Sequence, residues 1–231
     1  MDIGKCRTIV FSLAIGALLV AGVLWLLLLD GAPHVARAAN GNRYVAPDGD
    51  DGGQCDSVAN RCRTVQRAID VASPFDEIRV ATGTYTDAAG TVAAIERTVA
   101  LLGGWDSGFT TRDPSAYPTT LDAQRNGRVV YINGAISPTV DGFTITGGNA
   151  TSEAIDVGRG GGIYSRDASP IIQNNVVITN VGSVSPTGGS GGGIYLVSAS
   201  ASALISGNQV LSNSVHGTSW GRGGGGIALY Y

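Results

Sequence analysis

The chain is almost without lysine. Lys5 is the only one in 231 residues, and the other basic residues are arginines. A phosphate-binding P-loop needs a Gly-Lys-Ser/Thr run, and Schiff-base chemistry needs a lysine amine; neither can be built beyond residue 5. Histidine is nearly as scarce, with His34 and His216 alone, so a histidine-rich metal site is excluded. Charged residues make up 14%, well below the quarter typical of soluble domains, and the formal net charge is −3. That balance gives no basic footprint for nucleic acid. Low charge combined with 43% apolar content argues for a packed fold rather than disorder. Glycine is the one residue in excess, at 35 residues, and it lacks the strict three-residue period of collagen.

Residues 1–40 read as an export segment. Lys5 and Arg7 precede Ile9 to Leu29, a run that is apolar apart from Ser12. Ala36-Arg37-Ala38 then supplies an A-x-A cleavage pattern. The run is also long enough to span a bilayer, so residues 9–29 are either a cleaved signal peptide or a retained membrane anchor. Both readings place residues 41–231, one domain by length, outside the cytoplasm, secreted or on the cell surface. There Cys55 and Cys62 are expected to form a disulfide. A C-x6-C zinc half-site is the alternative, and it lacks a second half.

The strongest signal is a repeat. Gly160-Gly161-Gly162-Ile163-Tyr164 returns as Gly191-Gly192-Gly193-Ile194-Tyr195, and again as Gly224-Gly225-Gly226-Ile227. Asn175 and Asn208 are 33 residues apart, as are Asn180 and Asn213. A degenerate copy occupies Pro138 to Thr146. Such a period marks a solenoid, propeller or array. Within each unit, short Val, Ile and Tyr runs are broken by Gly, Asn and Ser, with no 3.6-residue apolar period, so helical repeats are excluded. Short strands contributed turn by turn to parallel sheets fit this pattern. Glycine would take the tight corners, and the two asparagine pairs would stack as hydrogen-bonded ladders. Expected strands are Glu77–Ala81, Thr98–Leu102, Arg128–Ile132 and Thr139–Thr146, with turns at 83–85 and 103–105. One amphipathic helix is expected over Arg63–Ala72, capped by Thr64 and stopped by Ser73-Pro74, covering the open end of the first coil.

Tyr44-Val45-Ala46-Pro47-Asp48-Gly49, Thr64-Val65-Gln66-Arg67-Ala68-Ile69 and Ile78-Arg79-Val80-Ala81-Thr82-Gly83-Thr84-Tyr85 resemble the N-terminal cap and first coils of bacterial right-handed parallel β-helix proteins of the pectate-lyase-like superfamily. Leu102-Gly103-Gly104-Trp105, Arg112-Asp113-Pro114 and Thr120-Leu121-Asp122 resemble an insert of large exported members. The Gly-Gly-Gly-Ile-Tyr units resemble those of polymorphic outer-membrane proteins. The resemblance covers residues 43–231. It implies an all-β, right-handed parallel β-helix with one N-terminal capping helix. The last residues, Gly226 to Tyr231, stand at the start of a unit, and a C-terminally incomplete domain is expected.

Chemistry is harder to find. The lyases and hydrolases of that superfamily use calcium-binding acids with an Arg or Lys base, or paired aspartates. Here Asp141, Asp156, Arg159, Arg166 and Asp167 are the charges near the coils, and they do not recur at one position on neighbouring turns. Asp141, Arg166 and Asp167 are the catalytic candidates. Asp48, Asp50 and Asp51 form an acidic loop that offers oxygen ligands for calcium as a candidate cofactor, although Gly52 stands where an EF-hand needs a further ligand. Gly221 to Gly226 contains a formal G-x-G-x-x-G without the following helix of a nucleotide site. Trp105, Tyr117, Tyr164, Tyr195 and Trp220 could stack on sugar rings; packing between rungs is the competing role. The leading expectation is a non-enzymatic surface or secreted protein presenting a β-helical face to polysaccharide or cell-surface glycans. A polysaccharide lyase or hydrolase is the alternative, and a purely structural stalk or passenger segment the third.

Overall fold

The computed structural model describes residues 41–88, 90–185, 188–197, 202–216 and 224–230, within one compact unit spanning Ala39–Tyr231. The hydrophobic run at 9–29 lies outside the described residues. Among the described residues no helix is long and apolar enough to cross a membrane.

Strand β1 (Asn42–Val45) and helix α1 (Val65–Val71) open the unit. Fifteen further strands follow in five turns of three. The first turn is β2 (Glu77–Ala81), β3 (Gly83–Tyr85) and β4 (Ala93–Ile95). The second is β5 (Ala100–Trp105), β6 (Thr119–Asp122) and β7 (Val130–Asn133). The third is β8 (Thr139–Asp141), β9 (Thr144–Thr146) and β10 (Ile163–Arg166). The fourth is β11 (Ile171–Gln173), β12 (Val176–Ile178) and β13 (Ile194–Val197). The fifth is β14 (Leu204–Ser206), β15 (Gln209–Leu211) and β16 (Ile227–Tyr230). Each strand pairs in parallel with its counterpart one turn away. The first sheet runs β1-β2-β5-β8-β11-β14, the second β3-β6-β9-β12-β15 and the third β4-β7-β10-β13-β16. The protein is an all-β parallel β-solenoid with a single α-helix among its described residues.

The register explains the repeat. Ile163 pairs with Ile194, and Ile194 with Ile227, so one sequence period is one turn. Alternate residues point inward and pile up in columns. Ile78, Leu101, Val140 and Ile172 line the first sheet, Leu121, Ile145 and Val177 the second, and Val130, Ile163 and Ile194 the third; all are fully buried. The paired glycines before β10 and β13 are required by contact: a Cβ on Gly161 would run into the Val181 carbonyl, and one on Gly192 into that of Ser214.

Helix α1 begins where Thr64 accepts from the Arg67 amide, two residues later than the Arg63 start expected from periodicity. Arg63 and Thr64 instead give their amides to the Asp51 carboxylate. The helix buries Val65, Ala68 and Ile69 and packs on β1, β2 and β4, over the first turn. Cys55 and Cys62, both fully buried, form a disulfide that holds the loop leading to it.

Three strand expectations need correction. The run Thr139–Thr146 divides into β8 and β9, because Gly142 takes φ +82° and turns the chain onto a second sheet. The expected turns at 83–85 and 103–105 lie inside β3 and the end of β5. Tyr85 is held inward, its hydroxyl donating to the Ala81 carbonyl. Gly103 and Gly104 form a bulge, where the β2–β5 register slips between Arg79 and Ala81. The strands expected from Thr98 and Arg128 start two residues later, at Ala100 and Val130.

Candidate functional site

Two asparagine columns flank the second sheet. The Asn175 side chain accepts from the Phe143 amide and donates to the Val140 carbonyl, and Asn208 repeats this one turn on, toward Asn175 and Ile172. Asn180 accepts from the Gly148 amide and donates to the Ile145 carbonyl; Asn213 repeats it toward Asn180 and Val177. Each column also links its asparagines directly, at 3.0 Å. The preceding corner residues Asn174, Thr179 and Ser212 all have φ near +55°. Backbone groups that a sharp corner would leave unpaired are thereby satisfied.

The outer surface of the third sheet carries the most elaborate polar arrangement. Tyr131, Tyr164 and Tyr195 occupy one register position on β7, β10 and β13 and stack with centroids 5.5 and 5.8 Å apart. They point away from the core, yet Tyr164 and Tyr195 are buried. The segment from Asn149 to Gly160, between β9 and β10, folds over them. Arg128 clamps it down. Its guanidinium lies 4.3 Å over the Tyr164 ring and donates to the carbonyls of Ile155, Asp156 and Arg159, with Glu153 at 3.4 Å. Burial pulls the Arg128 pKa down, and Glu153 opposes this; a guanidinium stays charged throughout the working range. The Tyr164 hydroxyl donates to Asp156, which also pairs with Arg159 at 2.6 Å and faces Arg166 at 3.9 Å. Burial works to raise the Asp156 pKa, but Tyr164 and Arg159 outweigh it and the net direction is down. Burial and the Asp156 carboxylate push the Tyr164 hydroxyl well above its usual range.

Beside this cover runs an open trough. One part, about 310 Å³, is lined by Thr91, Glu96, Arg128, Tyr131, Glu153, Ala154 and Ile155. The adjoining part, about 430 Å³, shares Thr91 and Glu153 and adds Arg125, Asn126, Asn149 and Ser152. These volumes fall within the range of small-molecule sites. Tyr131 is half-buried and forms an aromatic wall of the first part.

Of the catalytic candidates, Asp141 stands at a different corner from the adjacent pair Arg166 and Asp167. Asp141 ends β8 at the first corner of its turn, Asp156 lies in the cover, and Asp167 follows β10 at the last corner. Asp141 accepts from Gln173, Asn174 and Arg112, the last at 2.9 Å. Arg166 and Asp167 form an exposed pair at 3.5 Å. In the acidic loop Asp48 is held by Arg61, Asp51 by the start of α1, and Asp50 by the Gly52 amide. Among the described residues no group of three His, Cys, Asp or Glu side chains could hold a metal ion. Trp105 has a ring face occupied by the Arg79 guanidinium at 4.5 Å, and its indole N–H is buried without a hydrogen-bond partner among the described residues. Tyr117 is half-buried in the loop between β5 and β6, and Trp220 lies outside the described residues.

The Asp141 cluster makes a pH prediction. Burial raises its pKa, but the hydrogen bonds from Gln173, Arg112 and Asn174 prevail and hold it below the ordinary 3.8. A carboxylate depressed in the folded state contributes stability above its unfolded pKa and loses it as pH falls through the folded one. Urea unfolding midpoints should therefore drop from about pH 5 downward, and Asp141→Asn should show a shallower drop. Parallel pH profiles for the two proteins would contradict this.

Two residues of the site, Tyr131 and Arg128, are not among those singled out from the sequence. Tyr131 stands 33 residues before Tyr164, the repeat spacing, but its unit lacks the leading Gly-Gly-Gly and so hides the match. Nothing local marks Arg128 as buried.

A family model described as protein of unknown function (DUF1565) matches residues 48–224, most of the chain, and the chain belongs to that family. No curated protein and no solved structure matches.

Proposed function

We propose that this member of the family is an exported or cell-surface β-helix protein, coiled in the right-handed sense, that binds carbohydrate without cleaving it. The observation that carries the non-enzymatic part is that Asp141 and Asp156 are already held by protein donors. Asp141 and Asp156 each hold two or more protein donors and have depressed pKa values, so neither is poised as a general acid or base near neutral pH. The polar trough on the flank supports the binding part. Export is supported by the apolar run from Ile9 to Leu29 and by the Cys55–Cys62 disulfide, which suits an oxidising compartment.

The test is retention of the full chain on immobilised neutral and acidic polysaccharides, with reducing ends measured in the same samples. Retention without new reducing ends is expected. New reducing ends would make the protein a lyase or hydrolase of the pectate-lyase type, and no retention on any polysaccharide would leave a structural stalk.

A further inference from the structure

The tyrosine stack ends in a notch. Tyr195, Tyr164 and Tyr131 follow one another at the same register position, and the next residue of the column, on β4, is Ala94. Tyr131 is covered on one side by Tyr164, with ring planes only 7° apart. On the other side the column continues with Ala94, so no fourth ring follows, and Tyr131 forms a wall of the trough. Thr91 and Glu96, from the same turn as Ala94, and Glu153, from the cover, line it.

We propose that this notch binds one unit of a neutral, unbranched hexopyranose chain. The pyranose ring lies in the trough with its C–H face against the Tyr131 ring. This rests on the carbohydrate-binding reading above and names its site and class. The lining selects a polyhydroxylated ring over an aromatic one. Glu96 is exposed at the margin, Thr91 adds a hydroxyl, and the adjoining trough continues with Asn126, Asn149, Ser152 and Arg125, which suits the hydroxyls of neighbouring units. Charge selects neutral over acidic sugars. Two carboxylates, Glu96 and Glu153, face the notch, while the nearest guanidinium, that of Arg128, is committed to four protein acceptors. A uronate in the notch itself would meet like charge, the nearest cation outside these ion pairs being Arg125 in the adjoining part of the trough. Arg128 and Glu153 act as positioning residues, since they hold the cover that forms one wall.

Titration calorimetry of the full chain with cellohexaose, mannohexaose and a galacturonate hexamer tests this. A neutral hexamer should bind and the galacturonate should not. Tyr131→Ala should weaken binding by about tenfold or more, and Tyr131→Phe should keep it, because the ring face does the work. Glu96→Ala changes only an exposed side chain and should also weaken binding, which separates loss of the site from loss of the fold. If a neutral hexamer binds and both Tyr131→Ala and Glu96→Ala bind it as well as the parent, the notch is wrong although the carbohydrate reading stands. Binding of the galacturonate alone overturns the ligand class. Binding of neither, with no polysaccharide retained, overturns the carbohydrate reading itself.

Discussion

Asn180→Leu is expected to lower the unfolding free energy by about 3 kcal/mol or more, the sum of two or three buried polar groups left unpaired. The side chain is fully buried and accepts from Gly148, donates to Ile145 and links to Asn213. Leucine has a similar volume and satisfies none of these groups. Asn180→Asp should also be costly, because a carboxylate cannot donate to the Ile145 carbonyl. Asn213→Leu, on the fifth turn and half-exposed, should cost clearly less, since water can replace what it loses. Chemical denaturation of the three variants checks the ranking. Equal losses at positions 180 and 213 would show that the columns do not act through burial.

Arg128→Met should cost about 3–5 kcal/mol, the range for breaking a buried ion pair by removing one partner. Its guanidinium is the only charged group in the described solenoid with a side chain as little as 2% exposed in an ion pair, and it gathers three carbonyls and Glu153 at once. The effect should be local before it is global. With the clamp gone, the segment from Asn149 to Gly160 loses its anchor, and limited proteolysis should cut within it while the coils stay folded. Arg128→Lys should not rescue, because an ammonium cannot span the carbonyls that the planar fork reaches. A variant as resistant to protease as the parent would show that the Asp156 contacts to Tyr164 and Arg159 hold the cover alone.

Much of the solenoid was legible because its order is one-dimensional. When each turn touches only its neighbours, a contact between rungs becomes a fixed separation in sequence. The 33-residue spacing of Asn175 and Asn208 is therefore a spatial statement, and so is that of Asn180 and Asn213. The disulfide and the Thr64 cap were legible for a related reason: both close over a few residues. The strand Glu77–Ala81 stood out because polar and apolar residues alternate from Glu77 to Val80.

Corners were less legible, since Gly142 turns the chain within a run that reads as one strand, while Gly103 and Gly104 bulge within a strand instead of ending it. The functional surface was the least legible. From sequence, Tyr164 and Tyr195 share a repeat position and could equally be a sugar-stacking row or packing between rungs. Only the tertiary structure decides this, because the cover that buries them is an irregular excursion between β9 and β10, outside the repeat. It also leaves Tyr131 partly open, beside an alanine that breaks the column. Period and alternation are properties of the chain and fix which residues stack; what lies over a sheet face depends on where an aperiodic loop comes to rest, and its partners, Arg128 above all, are an arginine among arginines until the fold buries them.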